Sequence, residues 1–270
     1  MNTAGSNRLT AHEIFDAAVQ SARDELQRSW SALGFSGIAG GLVMGLTGLS
    51  SGLVTWLLGH GNTSHFIAAT VYPIGFLAVV IGRAQLFTEN TLYPVVLVLS
   101  EKRYLVKTLK LWAVVFGGNW VGSLLFAALA VKTSALPPGL RDTLIDLGAV
   151  AVSRPFSTVF WSGVVGGWLL ALVAWLITAS HWTTGQAVVT WTMTFVLGLG
   201  NFAHCVANSG EILSSVLAGT VPSGDYGSWL ASATLGNIAG GVVMVSLLNY
   251  GQVKLGQPEE KSDSDLRRAG

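Results

Sequence analysis

Long apolar runs dominate the chain, and they limit what it can fold into more than any other feature of the sequence. Six such runs occupy residues 32–59, 64–100, 108–131, 156–180, 186–219 and 227–250. A helix that crosses the hydrocarbon core of a membrane needs about 20 largely apolar residues. Because 51% of the 270 residues are apolar and only 11% are charged, we predict an all-α integral membrane protein with six transmembrane helices.

Two of the runs, 64–100 and 186–219, are too long for one crossing and too short for two helices with a loop. Each has polar residues in its middle, LFTEN at 86–90 and AHCVAN at 203–208. Non-helical backbone at that depth is tolerated only where protein or a water-filled cavity covers it. We therefore predict that the second and fifth helices are broken at these motifs.

Short glycine-rich motifs recur between the two halves of the chain. SGxxGG and GNxxG each occur twice, at 36–41 and 162–167 and at 118–122 and 236–240. The chain is thus predicted to consist of two three-helix repeats, about 32–131 and 156–250. A unit with an odd number of crossings ends on the opposite side from where it began, so the second repeat is inverted. The transmembrane channel domain is predicted to span 32–252.

The ends of the chain are more polar than its middle. Thr10 and Glu13 have the spacing of a capping box, and apolar residues recur after them in three- and four-residue steps. We predict an amphipathic helix within 1–31, lying along the membrane surface or packed on its own bundle. The polar segment 253–270 is predicted to be a disordered tail.

Lysine and arginine are unevenly distributed between the two sides. With the N-terminus in the cytoplasm, eleven fall on the inner side and three on the outer side, namely Lys132, Arg141 and Arg154. The positive-inside rule then predicts a multi-pass protein of the bacterial cytoplasmic membrane with both termini cytoplasmic. A net charge of +1 excludes strong steering towards nucleic acid, and the single cysteine, Cys205, excludes an intrachain disulfide.

Taken together, these motifs resemble the formate/nitrite transporter family. The resemblance covers all six runs and is most specific at LFTENT (86–91), AHCVAN (203–208) and GGWLLALVAW (166–175), with the paired GN motifs. It implies an aquaporin-like fold among membrane lipids and a homopentamer with one pore per protomer. It also implies passage of protons with small monovalent anions or their acids, such as formate, nitrite or hydrosulfide.

The resemblance also implies particular pore residues, with an apolar constriction beside the threonine and a central histidine that exchanges protons. The predicted pore residues are His204, Thr88, Asn208, Leu86, Phe87 and Asn90. An imidazole suits proton exchange because it titrates near neutral pH.

Departures from the family pattern indicate a divergent branch. Ser162 stands where the family usually has a lysine or arginine. Arg83 and Glu89 are additional charges in the second run, and we predict that they form a structural ion pair.

Two other functions are compatible with the sequence. The missing family lysine favours an aquaporin-like pore for a small neutral solute, and the polar ends of the chain are compatible with a non-conducting membrane scaffold. No Walker loop, HExxH motif or set of nucleophile, base and acid occurs. We therefore expect no enzymatic activity, no catalytic residues, no cofactor and no metal site.

Overall fold

The computed structural model of the protein describes residues 8–255, and every regular element in that range is helical. The all-α class is therefore confirmed. The first half of the chain forms α1 (Ala11–Glu25), α2 (Trp30–Leu58), α3 (Asn62–Val71), α4 (Ile74–Gly82), α5 (Tyr93–Ser100) and α6 (Leu105–Lys132). The second half forms α7 (Pro138–Val152), α8 (Phe156–Thr178), α9 (Thr183–Leu199), α10 (Ser209–Ala218), α11 (Ser223–Gly241) and α12 (Leu248–Leu255). Short 3₁₀ segments at Glu89–Thr91 and Lys102–Tyr104 and a π segment at Val242–Leu247 complete the described part.

Several helical stretches are long and apolar enough to cross a membrane. Within residues 8–255 these are Trp30–Leu58, Asn62–Gly82, Lys102–Lys132, Phe156–Thr178 and Ser223–Val253. The second stretch contains Pro73, at the junction of α3 and α4. Helix α9 has 17 residues, and a non-helical segment separates it from the 10 residues of α10.

Both ends of the described chain form helices that pack on the bundle, and for α1 this was one of the two predicted alternatives. Helix α1 starts with the expected capping box, in which the Glu13 carboxylate accepts the Thr10 N–H at 2.7 Å. The hydrogen bonds from the Thr10 backbone and hydroxyl lower the pKa of Glu13. The apolar side of α1 is buried against α5, α8 and α12. Residues 253–255, predicted as the start of a disordered tail, belong to α12, and the rest of that tail lies outside the described residues.

Two helix pairs have the most extensive contacts in the described bundle, and both depend on glycine. Helix α2 lies along α6, and α8 lies along α11. A Cβ on Gly122 would collide with the carbonyl oxygen of Ile38, and a Cβ on Gly240 would collide with that of Val164. Only glycine allows the two backbones to approach so closely.

A buried asparagine of α6 holds the non-helical segment 83–88, which follows α4. The Oδ1 of Asn119 accepts the N–H of Phe87 at 2.9 Å. Its Nδ2 donates to the carbonyl oxygens of Gln85 and Gly37, each at 2.8 Å. A single side chain thus ties the segment to both α6 and α2.

The equivalent asparagine of α11 does the same for segment 201–208, which follows α9. The Oδ1 of Asn237 accepts the N–H of Cys205 at 2.9 Å. Its Nδ2 donates to the carbonyl oxygens of Ala203 and Gly163, each at 2.9 Å. The two segments also begin alike, because Arg83 and Asn201 have the left-handed backbone that is rare outside glycine, with φ of 58° and 48°.

The bundle has two ends, which we name after the helices that lie there. Helix α2, with 29 residues, is about 44 Å long at 1.5 Å per residue. At the α1 end, the guanidinium of Arg23 pairs with the carboxylate of Glu101, just after α5. At the α7 end, Gly139 packs against Trp56 near the end of α2. Helix α10 leads to this end, where Lys132 Nζ donates to the carbonyl of Leu217 at 2.8 Å.

Replacing Asn119 with leucine should destabilise the protein strongly. The change keeps the number and branching of the side-chain heavy atoms but leaves the Phe87 N–H and the Gln85 carbonyl without a partner. Each buried polar group that loses its partner costs about 1–3 kcal/mol. Thermal unfolding of the purified protein, followed by circular dichroism, should show a clearly lower midpoint for Asn119→Leu. The exposed Asn62 provides the control, and equal midpoints for Asn119→Leu and Asn62→Leu would contradict the account.

Candidate functional site

The two non-helical segments meet at one pair of polar side chains in the interior. Thr88 ends segment 83–88, and His204 lies in the middle of segment 201–208. Thr88 Oγ1 is 2.9 Å from His204 Nε2, and both residues are 0% exposed. The structure thus joins the two residues that the family resemblance singled out, one from each half of the chain.

The hydrogen bonds of the imidazole ring determine which nitrogen carries the proton. The backbone N–H of Ala207 donates to His204 Nδ1 at 2.9 Å. A nitrogen that accepts an N–H has no proton of its own, so the neutral ring is protonated on Nε2. His204 therefore donates to Thr88 Oγ1, and the hydroxyl proton of Thr88 is free to reach another acceptor.

Asn208 and Asn90, both predicted as pore residues, brace the two segments. Asn208 Oδ1 accepts the backbone N–H of His204 at 3.0 Å, and Asn208 Nδ2 donates to Glu211 Oε1 at 2.8 Å. Asn90 Nδ2 donates to the Leu86 carbonyl at 3.0 Å. Each asparagine thus bonds the backbone of the residue four positions before it. Asn208 also lines a cavity, whereas Asn90 is buried.

The apolar residues around the pair are only partly those predicted. Leu86 is buried, and the ring of Phe87 packs edge-on against Phe116 of α6, with ring centroids 5.0 Å apart. The aromatic ring that touches His204 is that of Phe76 in α4, at a centroid distance of 5.2 Å. Counting along the sequence gives Phe76 only as a weak match to a pore-lining residue of the family, together with Tyr72, whose ring lies next to it.

The predicted ion pair between Arg83 and Glu89 is not formed within contact distance in this structure. Arg83 is exposed at the left-handed end of α4, and Glu89 is half-buried in the 3₁₀ segment. Neither residue appears in any ion pair among the described residues.

A cavity of about 430 Å³ lies at the α7 end of the bundle and reaches to the residue before His204. Its wall includes Tyr72, Leu197, Phe202, Ala203, Asn208 and Glu211. Thr88 and His204 do not line it. The pair therefore lies behind the inner wall of the cavity, in a closed part of the interior.

Segment 201–208 is also held by Arg154, which precedes α8, and by Ser162, which lies within α8. Arg154 lines the cavity, and its guanidinium donates to the Asn201 carbonyl at 2.9 Å. The hydroxyl of Ser162 accepts the Ala203 N–H at 3.0 Å. Ser162 thus supports the backbone beside His204, while Arg154 supplies the positive charge of the cavity.

Sequence reasoning used Arg154 only for counting charges. Its position depends on α7, a helix over residues 138–152 that lies between two of the apolar runs. The one local feature of the sequence that indicates the position of Arg154 is that it directly precedes Pro155, the N-terminal cap of α8.

The described residues contain no group of three His, Cys, Asp or Glu side chains placed to hold a metal ion. Cys205 is free and buried. What the Thr88–His204 pair offers chemically is a hydrogen-bond donor in apolar surroundings, next to a cavity with one guanidinium.

The neutral His204 ring should be found in the form protonated on Nε2. Solid-state nitrogen NMR of histidine-labelled protein in lipid distinguishes a protonated ring nitrogen from an unprotonated one. The His204 signal, assigned by its loss in His204→Asn, should show a proton on Nε2 and none on Nδ1. A proton on Nδ1 would contradict the Ala207 contact.

Comparisons with known proteins agree with this geometry. A model of the formate/nitrite transporter family matches residues 12–251. The inner membrane protein YfdC of Escherichia coli (strain K12) is 32% identical over 247 residues, which cover 90% of this chain and 79% of that protein. Among solved structures, an FNT family ion channel has a TM-score of 0.76 at 22% identity, covering 92% of this chain and 100% of that chain. A pentameric formate channel with formate bound has a TM-score of 0.67 at 19% identity, covering 87% of this chain and 98% of that chain.

Proposed function

The chain belongs to the formate/nitrite transporter family, and from that premise we propose that it conducts small monovalent anions across a membrane. The proposed permeants are formate, nitrite and hydrosulfide, or their conjugate acids, with proton exchange at His204. The observation that carries this proposal is the buried hydrogen bond of 2.9 Å between Thr88 and His204. Ionisable groups within an apolar helix bundle commonly mark a path for substrate or protons.

The proposed topology has six crossings in two inverted three-helix repeats. The second crossing is broken between α4 and α5, and the fifth is broken between α9 and α10. The matching hydrogen bonds of Asn119 and Asn237 support this arrangement, because they hold equivalent segments in the two halves. Broken helices in corresponding positions are typical of transporter sites near the middle of the membrane.

The α1 end is proposed to face the cytoplasm of a bacterial cell, with both termini on that side. The excess of lysine and arginine in the segments at this end supports the orientation. The E. coli relative is an inner membrane protein, which supports the same membrane for this chain. Under this orientation the 430 Å³ cavity opens outwards.

Permeation is proposed to begin in this cavity. The guanidinium of Arg154 attracts an anion there, because charges interact strongly where water is scarce. Beyond the cavity, the rings of Phe202 and Phe76 form an apolar barrier before Thr88. Removing an anion from water costs several kcal/mol or more, whereas its neutral acid crosses more cheaply. Hydrogen bonding by Thr88 and proton exchange at His204 Nε2 would lower that barrier.

The proposed assembly is a homopentamer with a pore in each protomer, surrounded by membrane lipids. A pentameric formate channel shares the fold. Large apolar side chains are exposed along the outside of the helices, including Phe35, Leu109, Leu125, Trp161 and Val188. Such a surface has to be covered by lipid or by neighbouring protomers.

One observation favours a second candidate, an aquaporin-like pore for a small neutral solute. Glu211 lines the same cavity as Arg154, and an ionised carboxylate there would repel anions. A non-conducting scaffold, the third function compatible with the sequence, would conduct neither anions nor neutral solutes.

Flux of formate, nitrite and hydrosulfide into proteoliposomes, measured between about pH 5 and 8, tests the proposal. We expect pH-dependent flux in the wild type. Thr88→Val leaves His204 Nε2 without its acceptor and removes the hydroxyl from the path, so flux should fall at least about tenfold, the equivalent of about 1.4 kcal/mol. His204→Ala should reduce it at least as much.

Thr108→Val is the matched control, since Thr108 is a buried threonine whose hydroxyl has no hydrogen-bond partner. Its flux should equal that of the wild type. Absence of anion flux in intact wild-type protein, with flux of a neutral solute such as glycerol, would favour the second candidate. Absence of both would indicate a scaffold.

A further inference from the structure

Glu211 is an acidic side chain in a pathway proposed for anions. It lies in the first turn of α10, is 9% exposed and lines the 430 Å³ cavity. Its Oε1 accepts one hydrogen bond, from Asn208 Nδ2 at 2.8 Å. No described residue donates to its other oxygen, Oε2. One carboxylate oxygen is thus free for a ligand or a proton.

The charged and titratable groups around Glu211 leave it without an ion pair. Arg154, His65 and Tyr72 line the same cavity, and none of them pairs with Glu211 among the described residues. Helix α2 contributes the neutral Ser51 and Thr55, and α11 contributes Trp229.

The remaining charges on the packed helices face elsewhere. Lys132 of α6 donates to the Leu217 carbonyl. Arg141, Asp142 and Asp146 of α7 line a separate cavity, where Arg141 pairs with Asp142. No neighbouring cation therefore fixes Glu211 as a permanent carboxylate.

The central histidine needs a source of protons that its own contacts do not provide. Its Nδ1 accepts the Ala207 N–H, and its Nε2 faces Thr88. A backbone amide does not release its proton, so no replacement proton can arrive through Nδ1 while that contact holds. A proton that accompanies an anion must therefore come along the pathway.

Glu211 is connected to the segment that carries His204. Asn208 links the two: its Nδ2 donates to the Glu211 carboxylate at 2.8 Å, and its Oδ1 accepts the backbone N–H of His204 at 3.0 Å. The carboxyl group thus lies in the cavity wall and braces the backbone at the constriction as well.

We propose that Glu211 exchanges protons with anions in the cavity and thereby selects conjugate bases of weak acids over permanently charged anions. This inference rests on the proposed function of the chain. Ionised Glu211 repels every anion in the cavity. Protonated Glu211 does not repel the anion and can transfer a proton to it.

The transfer is a simple proton exchange. The O–H bond of the Glu211 carboxyl group breaks as an O–H bond forms on a formate or nitrite oxygen, or an S–H bond on hydrosulfide. The neutral acid moves on, and Glu211 remains as a carboxylate. Water in the cavity then returns a proton to it. Nitrate and chloride, as anions of strong acids, cannot keep the proton and stay charged.

A purely structural role for Glu211 is the alternative, because an acidic residue in the first turn stabilises a helix. Glu211→Gln separates the two roles. The amide oxygen of glutamine can still accept from Asn208 Nδ2, whereas the side chain no longer titrates. Asp225→Asn is the matched control, since Asp225 is exposed in the first turn of α11 at the same end of the bundle.

The test is flux of formate and of nitrate into proteoliposomes, with the pH set equally on both sides between about pH 5 and 8. In the wild type, formate flux should rise as the pH falls and nitrate flux should stay low. In Glu211→Gln, the rise of formate flux should be largely lost, and the nitrate-to-formate ratio should increase at least about fivefold, the equivalent of roughly 1 kcal/mol. Asp225→Asn should behave as the wild type. An unchanged pH profile and ratio in Glu211→Gln would overturn the inference.

Infrared difference spectra between high and low pH provide a readout that does not depend on transport. The carboxylic acid C=O band that appears at low pH should be weaker in Glu211→Gln than in the wild type, because one of the 14 acidic side chains no longer titrates. Identical bands in the two proteins would overturn the inference. Absence of all anion flux in the wild type would instead count against the proposed function, so the two failures are distinguishable.

Discussion

The interior of this helix bundle contains two stretches of non-helical backbone, and the structure depends on satisfying their hydrogen bonds. No water or lipid group can do so in the middle of an apolar bundle, where an unpaired N–H or C=O costs several kcal/mol. Asn119 and Asn237 provide the partners, each with one acceptor and two donor contacts. Because each asparagine projects from a helix packed closely on another, the segments are fixed relative to both helix pairs.

This fixed backbone is what brings Thr88 and His204 together. The two residues come from opposite halves of the chain, and both lie in non-helical segments. Ala207 and Asn208 orient the ring and its backbone, so that Nε2 faces Thr88. Aromatic and aliphatic side chains separate the site from the cavity. Under the proposed function, a small permeant crosses this apolar barrier more easily once it is protonated, because removing an anion from water costs several kcal/mol or more.

The sequence predicts those features that depend on local patterns. Polar motifs inside overlong apolar runs indicate where the helices end. The repeated GN motif contains Asn119 and Asn237, the two asparagines that hold the non-helical segments. Features that depend on the path of the chain between runs were missed. Arg154 lines the cavity because α7, the helix before it, also forms part of the cavity wall. No apolar run in the sequence predicts that helix. The Arg83–Glu89 pair was predicted from sequence spacing, which does not reveal the left-handed backbone of Arg83 at the end of α4.

The central claim is that the permeant passes the Thr88–His204 pair, and cysteine accessibility tests it most directly. In a Cys205→Ala background, Thr88→Cys would be treated from the α7 end with the small thiol reagent methyl methanethiosulfonate. We expect modification of Thr88→Cys, with loss of the remaining flux, and protection by excess formate. Modification of Tyr72→Cys in the cavity, with Thr88→Cys unreactive while anion flux continues, would show that the pathway bypasses the pair and would contradict the account.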